Sequence, residues 1–106
     1  MTESEFNRLA DAALASIETA IDNCGGDVEC NRSGNVMEVE FDNGQKIIIN
    51  RHDVNQEIWV AARSGGFHYA WSDGAWRDRR EAGELYAKLS ALFAEQGEKL
   101  VLDIPG

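Results

Sequence analysis

The spacing of apolar side chains changes twice along this chain, and this restricts the possible folds more than any other feature. From Ser4 to about Asn23 the apolar residues lie three or four positions apart, the period of an amphipathic helix. The glycine pair Gly25-Gly26 ends this helix, as glycine commonly does after a C-terminus. The apolar residues of the predicted helix are Phe6, Leu9, Ala10, Ala13, Ile17 and Ile21.

From Val36 to Phe41 the apolar period becomes two, which indicates a strand with one buried and one exposed face. Glu38 and Glu40 fall on the exposed face, so Met37 and its alternate neighbours take the buried one. A short strand precedes this segment. The strands predicted after it are Gln45–Asn50, Glu57–Arg63, Phe67–Trp71 and Ala75–Arg77.

Three turn sequences connect these strands as antiparallel neighbours. Asp42-Asn43-Gly44 predicts a type I′ hairpin turn, because Asn-Gly accepts the two positive φ angles that this turn needs. Ser64-Gly65-Gly66 connects the next pair of strands, and Ser72-Asp73-Gly74 connects the last pair. The successive turns therefore predict one antiparallel sheet.

A second helix is predicted near the end of the chain, with Asp78 as its N-cap and Glu81 completing a capping box. Gly97 ends it, and its apolar residues are Leu85, Leu89, Leu92 and Phe93. Because each helix has a single apolar face, both are expected on one side of the sheet. We therefore predict one α+β domain over residues 1–106, a two-layer α/β sandwich of the form α-β(5-6)-α whose other sheet face meets water.

Charge is distributed unevenly over the sequence. The chain has 19 acidic and 10 basic residues, a net charge of −9. Asp11, Glu18 and Asp22 lie within roughly 40° of one another on the helical wheel, away from the apolar face. Asp27 and Glu29 continue this row beyond the helix. These five carboxylates are called the acidic ridge below.

The residues alone leave three interpretations of the acidic ridge open. Carboxylates a turn or more apart suit hard cations of several kinds, held weakly and with most of their water. The same row is also typical of a helix face that only meets solvent. As a third possibility, it attracts a basic protein surface.

Composition also excludes several functional classes. The net negative charge argues against binding to nucleic acid or an anionic membrane, and no apolar run reaches the roughly 20 residues that span a bilayer. Acidic first residues predict no basic targeting peptide, so a cytoplasmic protein is expected, with Cys24 and Cys30 as reduced thiols. No nucleophile or acid–base pair stands out, so no catalytic residue is assigned.

Trp59 is the residue most indicative of a contact surface. Ile58 and Val60 take the core face of their strand, so alternation places Trp59 on the outer face. Two interpretations are open, a protein contact or a tryptophan covered by a neighbouring loop. His68 is also predicted on the outer face, with no role beyond contact with solvent.

Several sequence motifs resemble the frataxin family, bacterial branch included, over essentially the whole chain. They are Ile48-Ile49-Asn50-Arg51, Glu57-Ile58-Trp59-Val60-Ala61, Gly65-Gly66-Phe67-His68-Tyr69 and Trp76. The resemblance implies an acidic accessory and regulatory protein of iron–sulfur cluster assembly, which binds Fe²⁺ and Fe³⁺ weakly and does not act as an enzyme. It also implies contacts with the cysteine desulfurase and the iron–sulfur scaffold protein.

By the same resemblance, iron is assigned to the acidic ridge. The partner contact is assigned to the outer sheet face and part of the ridge, that is Asn50, Arg51, Trp59, Glu18 and Asp22. At three positions where family members often carry acids, this chain has Asn23, Gly25 and Asn31. Its ridge therefore has fewer carboxylates than the family pattern. Near the sheet face the chain departs from this pattern at His52, Val54 and Glu57.

Two alternatives to the regulatory role are kept. The first is an acidic protein-interaction module in which iron binding is incidental. The second is a ferroxidase, which needs a defined redox site that an open row of carboxylates does not provide. A monomer is expected for a domain of this charge.

Overall fold

The computed structural model describes residues 1–78, 80 and 83–102, and the predicted order of elements is confirmed in it. The two helices are α1 (Glu3–Asp22) and α2 (Leu85–Glu95). The six strands are β1 (Val28–Ser33), β2 (Val36–Phe41), β3 (Lys46–His52), β4 (Glu57–Ala62), β5 (Gly65–Ser72) and β6 (Ala75–Arg77). No helix in the described part is long and apolar enough to cross a membrane.

Helix α1 begins at a capping box formed by Thr2 and Glu5. The Thr2 hydroxyl accepts a hydrogen bond from the Glu5 backbone N–H at 3.1 Å, and the Glu5 carboxylate accepts from the Thr2 backbone N–H at 3.4 Å. These bonds satisfy N–H groups that a helix start leaves without partners. The hydrogen bonds from the Thr2 side chain and backbone also lower the pKa of the Glu5 carboxyl.

The six strands form one antiparallel sheet in sequence order, β1-β2-β3-β4-β5-β6. Both helices cover the same face of it, as predicted, and the opposite outer face is accessible. Phe6 of α1 packs edge-on against Trp76 of β6, and Phe93 of α2 packs edge-on against Phe41 of β2. The core between the layers includes Leu14, Ile17, Met37, Ile49, Val60 and Leu89, all fully buried.

The turn between β2 and β3 differs from the type I′ turn predicted from Asn-Gly. Only Gly44 of the three turn residues has a positive φ, at 85°. Its N–H donates to the Phe41 carbonyl at 2.9 Å, and the Phe41 N–H donates to the Gln45 carbonyl. This is the three-residue loop in which a left-handed glycine follows a type I turn. The Asn43 side chain stabilises it by accepting from the Gln45 N–H at 3.0 Å.

The glycine pair between β4 and β5 is also placed differently from the prediction. Gly65 pairs with Ala62 and Gly66 with Ala61, so both glycines belong to strand β5 and the turn consists of residues 63 and 64. The type I′ geometry occurs in the last hairpin instead. There both residues between Ser72 and Ala75 have positive φ, 53° at Asp73 and 80° at Gly74.

The prediction that Asp78 caps the second helix is wrong. The cap of α2 is Glu84, whose carboxylate accepts from the backbone N–H groups of Tyr86 and Ala87 at 2.9 and 3.0 Å. An Arg77–Glu84 bridge pairs the end of β6 with the cap residue, and α2 begins only after Glu84. Asp78 is buried and accepts from the backbone N–H of Arg80. The predicted partner Glu81 lies outside the described residues.

Candidate functional site

The acidic ridge begins on α1, whose exposed face lies beside the edge strand β1. Burial and the nearby carboxylates of Glu18 and Asp22 together raise the pKa of the Cys30 thiol, on β1, to about 11. Glu18 is half-buried and Asp22 is exposed. The C-terminal half of α1 therefore presents two carboxylates near Cys30 of β1.

Asp11, at the other end of the ridge, is in a different electrostatic setting. Its Oδ1 is bonded to the guanidinium of Arg51 and lies 3.6 Å from Nη2 of Arg32. Two cationic side chains therefore balance this carboxylate. Among the residues that the structure describes, no cationic group lies within ion-pair distance of Glu18 or Asp22, so their charge is not balanced as that of Asp11 is.

Beyond α1 the acidic surface bends around β1 onto the outer face of the sheet. Glu29 lies directly opposite Glu40 of β2, on the outer face. An open cleft beside them is lined by acidic groups that include Asp27 and Asp42. Lys46 of β3 balances part of this charge, with its Nζ 2.8 Å from Glu38 and 3.9 Å from Glu40. The acidic ridge thus continues from the helix to the sheet.

The ridge does not close into a coordination cage. Within residues 1–78, 80 and 83–102, no three His, Cys, Asp or Glu side chains are close enough together to hold one metal ion. A hard cation on this surface would contact one or two carboxylates and keep most of its water, which corresponds to weak and exchangeable binding. The ridge therefore offers a cation only carboxylate oxygens, which are spread over an open surface.

The expectation that Arg51 lies on the outer sheet face is wrong. Its side chain is only 11% exposed and points toward the helices, where the guanidinium lies over the Phe6 ring, 5.5 Å from the centroid. Its Nε donates to Asp53 at 2.9 Å, and its two Nη atoms bond to Asp11 and Asn7. Hydrogen bonds to these carboxylates raise the pKa of Arg51, against the lowering effect of burial. This group is called the Arg51 cluster.

Trp59 does lie on the outer face, and two histidine rings rather than a loop cover it. His52 stacks on one side, with ring centroids 4.0 Å apart and planes 9° from parallel. His68 stacks on the other at 4.3 Å and 8°. The indole Nε1 donates to Glu57 Oε1 at 2.8 Å. His68 was expected to contact only solvent, although strand pairing places it directly opposite Trp59.

Asn50 completes the central row of the outer face. It lies directly opposite Trp59, so Asn50, Trp59 and His68 form a cross-strand row over β3, β4 and β5. All three side chains are at least partly accessible. The predicted partner residues Asn50 and Trp59 are therefore brought together, and Arg51 is separated from them by the sheet.

Comparison with known proteins connects this arrangement to a family. The frataxin-like domain matches residues 1–99 of the chain. The chain belongs to the frataxin family. A relative in Dechloromonas aromatica, the iron–sulfur cluster assembly protein CyaY, is 50% identical over 104 residues, which are 96% of this chain and 99% of the relative. The protein of the same name in Paraburkholderia phymatum is 49% identical over 96 residues, 91% of each chain.

Solved frataxin structures have the same fold. The frataxin from Psychromonas ingrahamii superposes with a TM-score of 0.87 at 37% identity, covering 94% of this chain and 96% of that one. Yeast frataxin has a TM-score of 0.63 at 22% identity, covering 88% and 77% of the two chains, and supports the fold alone. The predicted frataxin resemblance and the two-layer α/β sandwich are thereby confirmed.

Proposed function

We propose that this frataxin-family chain is an iron-binding accessory and regulatory protein of iron–sulfur cluster assembly, with no catalytic activity of its own. The supporting observation is the acidic ridge, whose Glu18 and Asp22 lie near Cys30 of β1 and have no cationic partner among the described residues. Its curated relatives are named as cluster assembly proteins. A cytoplasmic monomer is part of the proposal, supported by two free cysteines and the net charge of −9.

In this proposal Fe²⁺ or Fe³⁺ binds weakly at Glu18, Asp22, Asp27 and Glu29. These carboxylates supply the oxygen ligands that hard cations take, and the open surface leaves the remaining positions to water. Asp11 contributes least, because Arg51 and Arg32 already balance its charge.

The cysteine desulfurase and the scaffold protein dock on a second part of the same surface. The outer-face row of Asn50 and Trp59 provides a large amphipathic anchor with polar neighbours, as protein contact sites commonly do. Glu18 and Asp22 add electrostatic attraction for a basic partner. Arg51 affects docking only indirectly. It bonds both Asp53, which follows His52 in the chain, and Asp11 of α1, and so connects this end of β3 to the helix.

The double variant Glu18→Gln/Asp22→Asn tests this function. A control of equal charge change is Glu95→Gln/Asp73→Asn, since both acids are exposed and lie away from the ridge. We expect the ridge variant to weaken ferrous binding and desulfurase binding by about tenfold each, roughly 1.4 kcal/mol. The control should stay near the parent chain. Equal affinities for iron and for desulfurase in both variants would refute the proposal.

A second candidate function is supported by the lack of a closed metal cage among the described residues. In this case the chain is an acidic interaction module, and iron binding is incidental. Partner affinity would then fall steeply with salt, because surface charges are screened beyond about 10 Å at 0.1 M ionic strength. Partner affinity would also be the same with and without iron. A complex that requires iron and persists in high salt would exclude this candidate.

A further inference from the structure

Both histidines of the chain stack on the same tryptophan. His52 of β3 and His68 of β5 sandwich the Trp59 ring at 4.0 and 4.3 Å, with all three rings nearly parallel. Histidine is the side chain whose ordinary titration falls between pH 5 and 8. Both side chains of this type in the chain therefore lie at the centre of the outer sheet face.

We propose that this His52–Trp59–His68 stack makes docking on the outer face depend on protons, so that protonation of the two imidazoles weakens binding of the cysteine desulfurase. The inference rests on the proposed function, because it concerns regulation of the same docking surface.

Among the described residues, Glu57 is the one carboxylate that faces both imidazoles. Glu57 Oε1 lies 4.0 Å from Nδ1 of His68, and Glu57 is the direct cross-strand partner of His52. The same oxygen already accepts the indole N–H of Trp59. A single carboxylate cannot balance two imidazolium groups, so protonation leaves the stack with a net positive charge.

The other charged groups near the stack are engaged elsewhere. Asp53 follows His52 but accepts from Arg51 and from Asn35. Arg77 of β6 lies directly opposite Ala70 of β5, on the outer face. Its Nε donates to the Ser72 carbonyl at 3.0 Å. None of these groups replaces Glu57 as a counter-charge for the imidazoles.

Three effects of protonation act in the same direction. An imidazolium is costly to bury in an interface unless it is paired. Its positive charge repels a basic partner of the kind that the acidic surface attracts. In the unbound chain, an imidazolium over Trp59 gains a cation–π contact that favours the free state. Docking is therefore weaker in acid and stronger above neutral pH.

The size of the effect follows from linkage. For each imidazole that must lose its proton on docking, affinity falls by at most about tenfold for each pH unit. Two such imidazoles double this dependence, so a reduction of roughly tenfold or more between pH 7.5 and 5.5 is expected.

The test compares desulfurase affinity at pH 7.5 and 5.5 for the parent chain and for the variant His52→Gln/His68→Gln. Glutamine is uncharged at both pH values, so titration of the desulfurase itself appears equally in both series. We expect the affinity ratio between the two pH values to be at least tenfold larger for the parent chain. Equal ratios would overturn the inference and leave the proposed function intact. No binding by either chain at either pH would overturn both.

A second measurement needs no partner. The indole Nε1–H signal of Trp59 in ¹⁵N-resolved NMR spectra should move between pH 5.5 and 7.5 in the parent chain and stay fixed in the double variant. An indole signal that is insensitive to pH in the parent chain would overturn the inference even if the desulfurase binds.

Discussion

Replacing Arg51 with Met removes the charge and all donors of the Arg51 cluster and keeps most of its apolar volume. The side chain is 11% exposed, whereas its partners Asp11 and Asp53 are 56% and 51% exposed. Water can therefore solvate both carboxylates once the guanidinium is gone. The variant measures the favourable contacts of Arg51 without leaving a buried charge behind.

The expected loss of stability is the sum of a few modest contributions. Ion pairs with half-exposed carboxylates are worth about 0.2–1 kcal/mol each. The hydrogen bond to Asn7 adds about 1 kcal/mol and the contact over Phe6 about 0.5–1 kcal/mol. We therefore expect the free energy of unfolding to fall by about 2–4 kcal/mol, and the melting temperature by about 8–16 °C.

Urea unfolding followed by circular dichroism measures this change. Arg8→Met is the matched control, because Arg8 is exposed and has no ion pair among the described residues. The control should change the free energy of unfolding by less than about 0.5 kcal/mol. In a double-mutant cycle, Arg51→Met and Asp11→Asn should couple by at least about 0.5 kcal/mol. A loss below 0.5 kcal/mol for Arg51→Met would refute a stabilising role of the cluster.

Two further predictions concern Trp59 and the thiols. Trp59→Ala should weaken desulfurase binding and cost about 1–3 kcal/mol for its two ring contacts, whereas Trp76→Ala, at a site 2% exposed, should cost about 3–5 kcal/mol. A larger loss at Trp59 than at Trp76 in denaturant unfolding would contradict this placement. Cys30, with its pKa raised from 9 to about 11, should have roughly 100-fold less thiolate than an unshifted thiol. Iodoacetamide at pH 8 should therefore modify Cys24 first, and mass spectrometry that finds Cys30 modified first would refute it.

The fold followed from the sequence because its determinants are local. The helical period before Asn23 and the alternation from Val36 to Phe41 decide each element's type and its buried face. The outward position of Trp59 follows from the same alternation. Alternation also requires Asn50 and Arg51, as neighbours in one strand, to face opposite sides. The expectation of a shared face came from the family motif, and the local rule was the better guide.

Several details that the sequence did not reveal depend on contacts between distant residues. Asp11 and Arg51 are 40 positions apart, so the ion pair that balances one end of the ridge is invisible in a helical wheel. The stacks on Trp59 require the register of three strands. Asp78 has the residue type of a helix cap, but the bridge between β6 and Glu84 decides where α2 starts.

The central claim is that the Glu18–Asp22 end of the acidic ridge binds iron. An anaerobic ferrous titration followed residue by residue in backbone amide NMR spectra tests it most directly. The account predicts chelator-reversible changes at Glu18, Asp22, Asp27 and Glu29, and smaller ones at Asp11, which Arg51 and Arg32 balance. Unchanged signals at these five positions in millimolar iron would contradict iron binding and leave the acidic surface with a docking role alone.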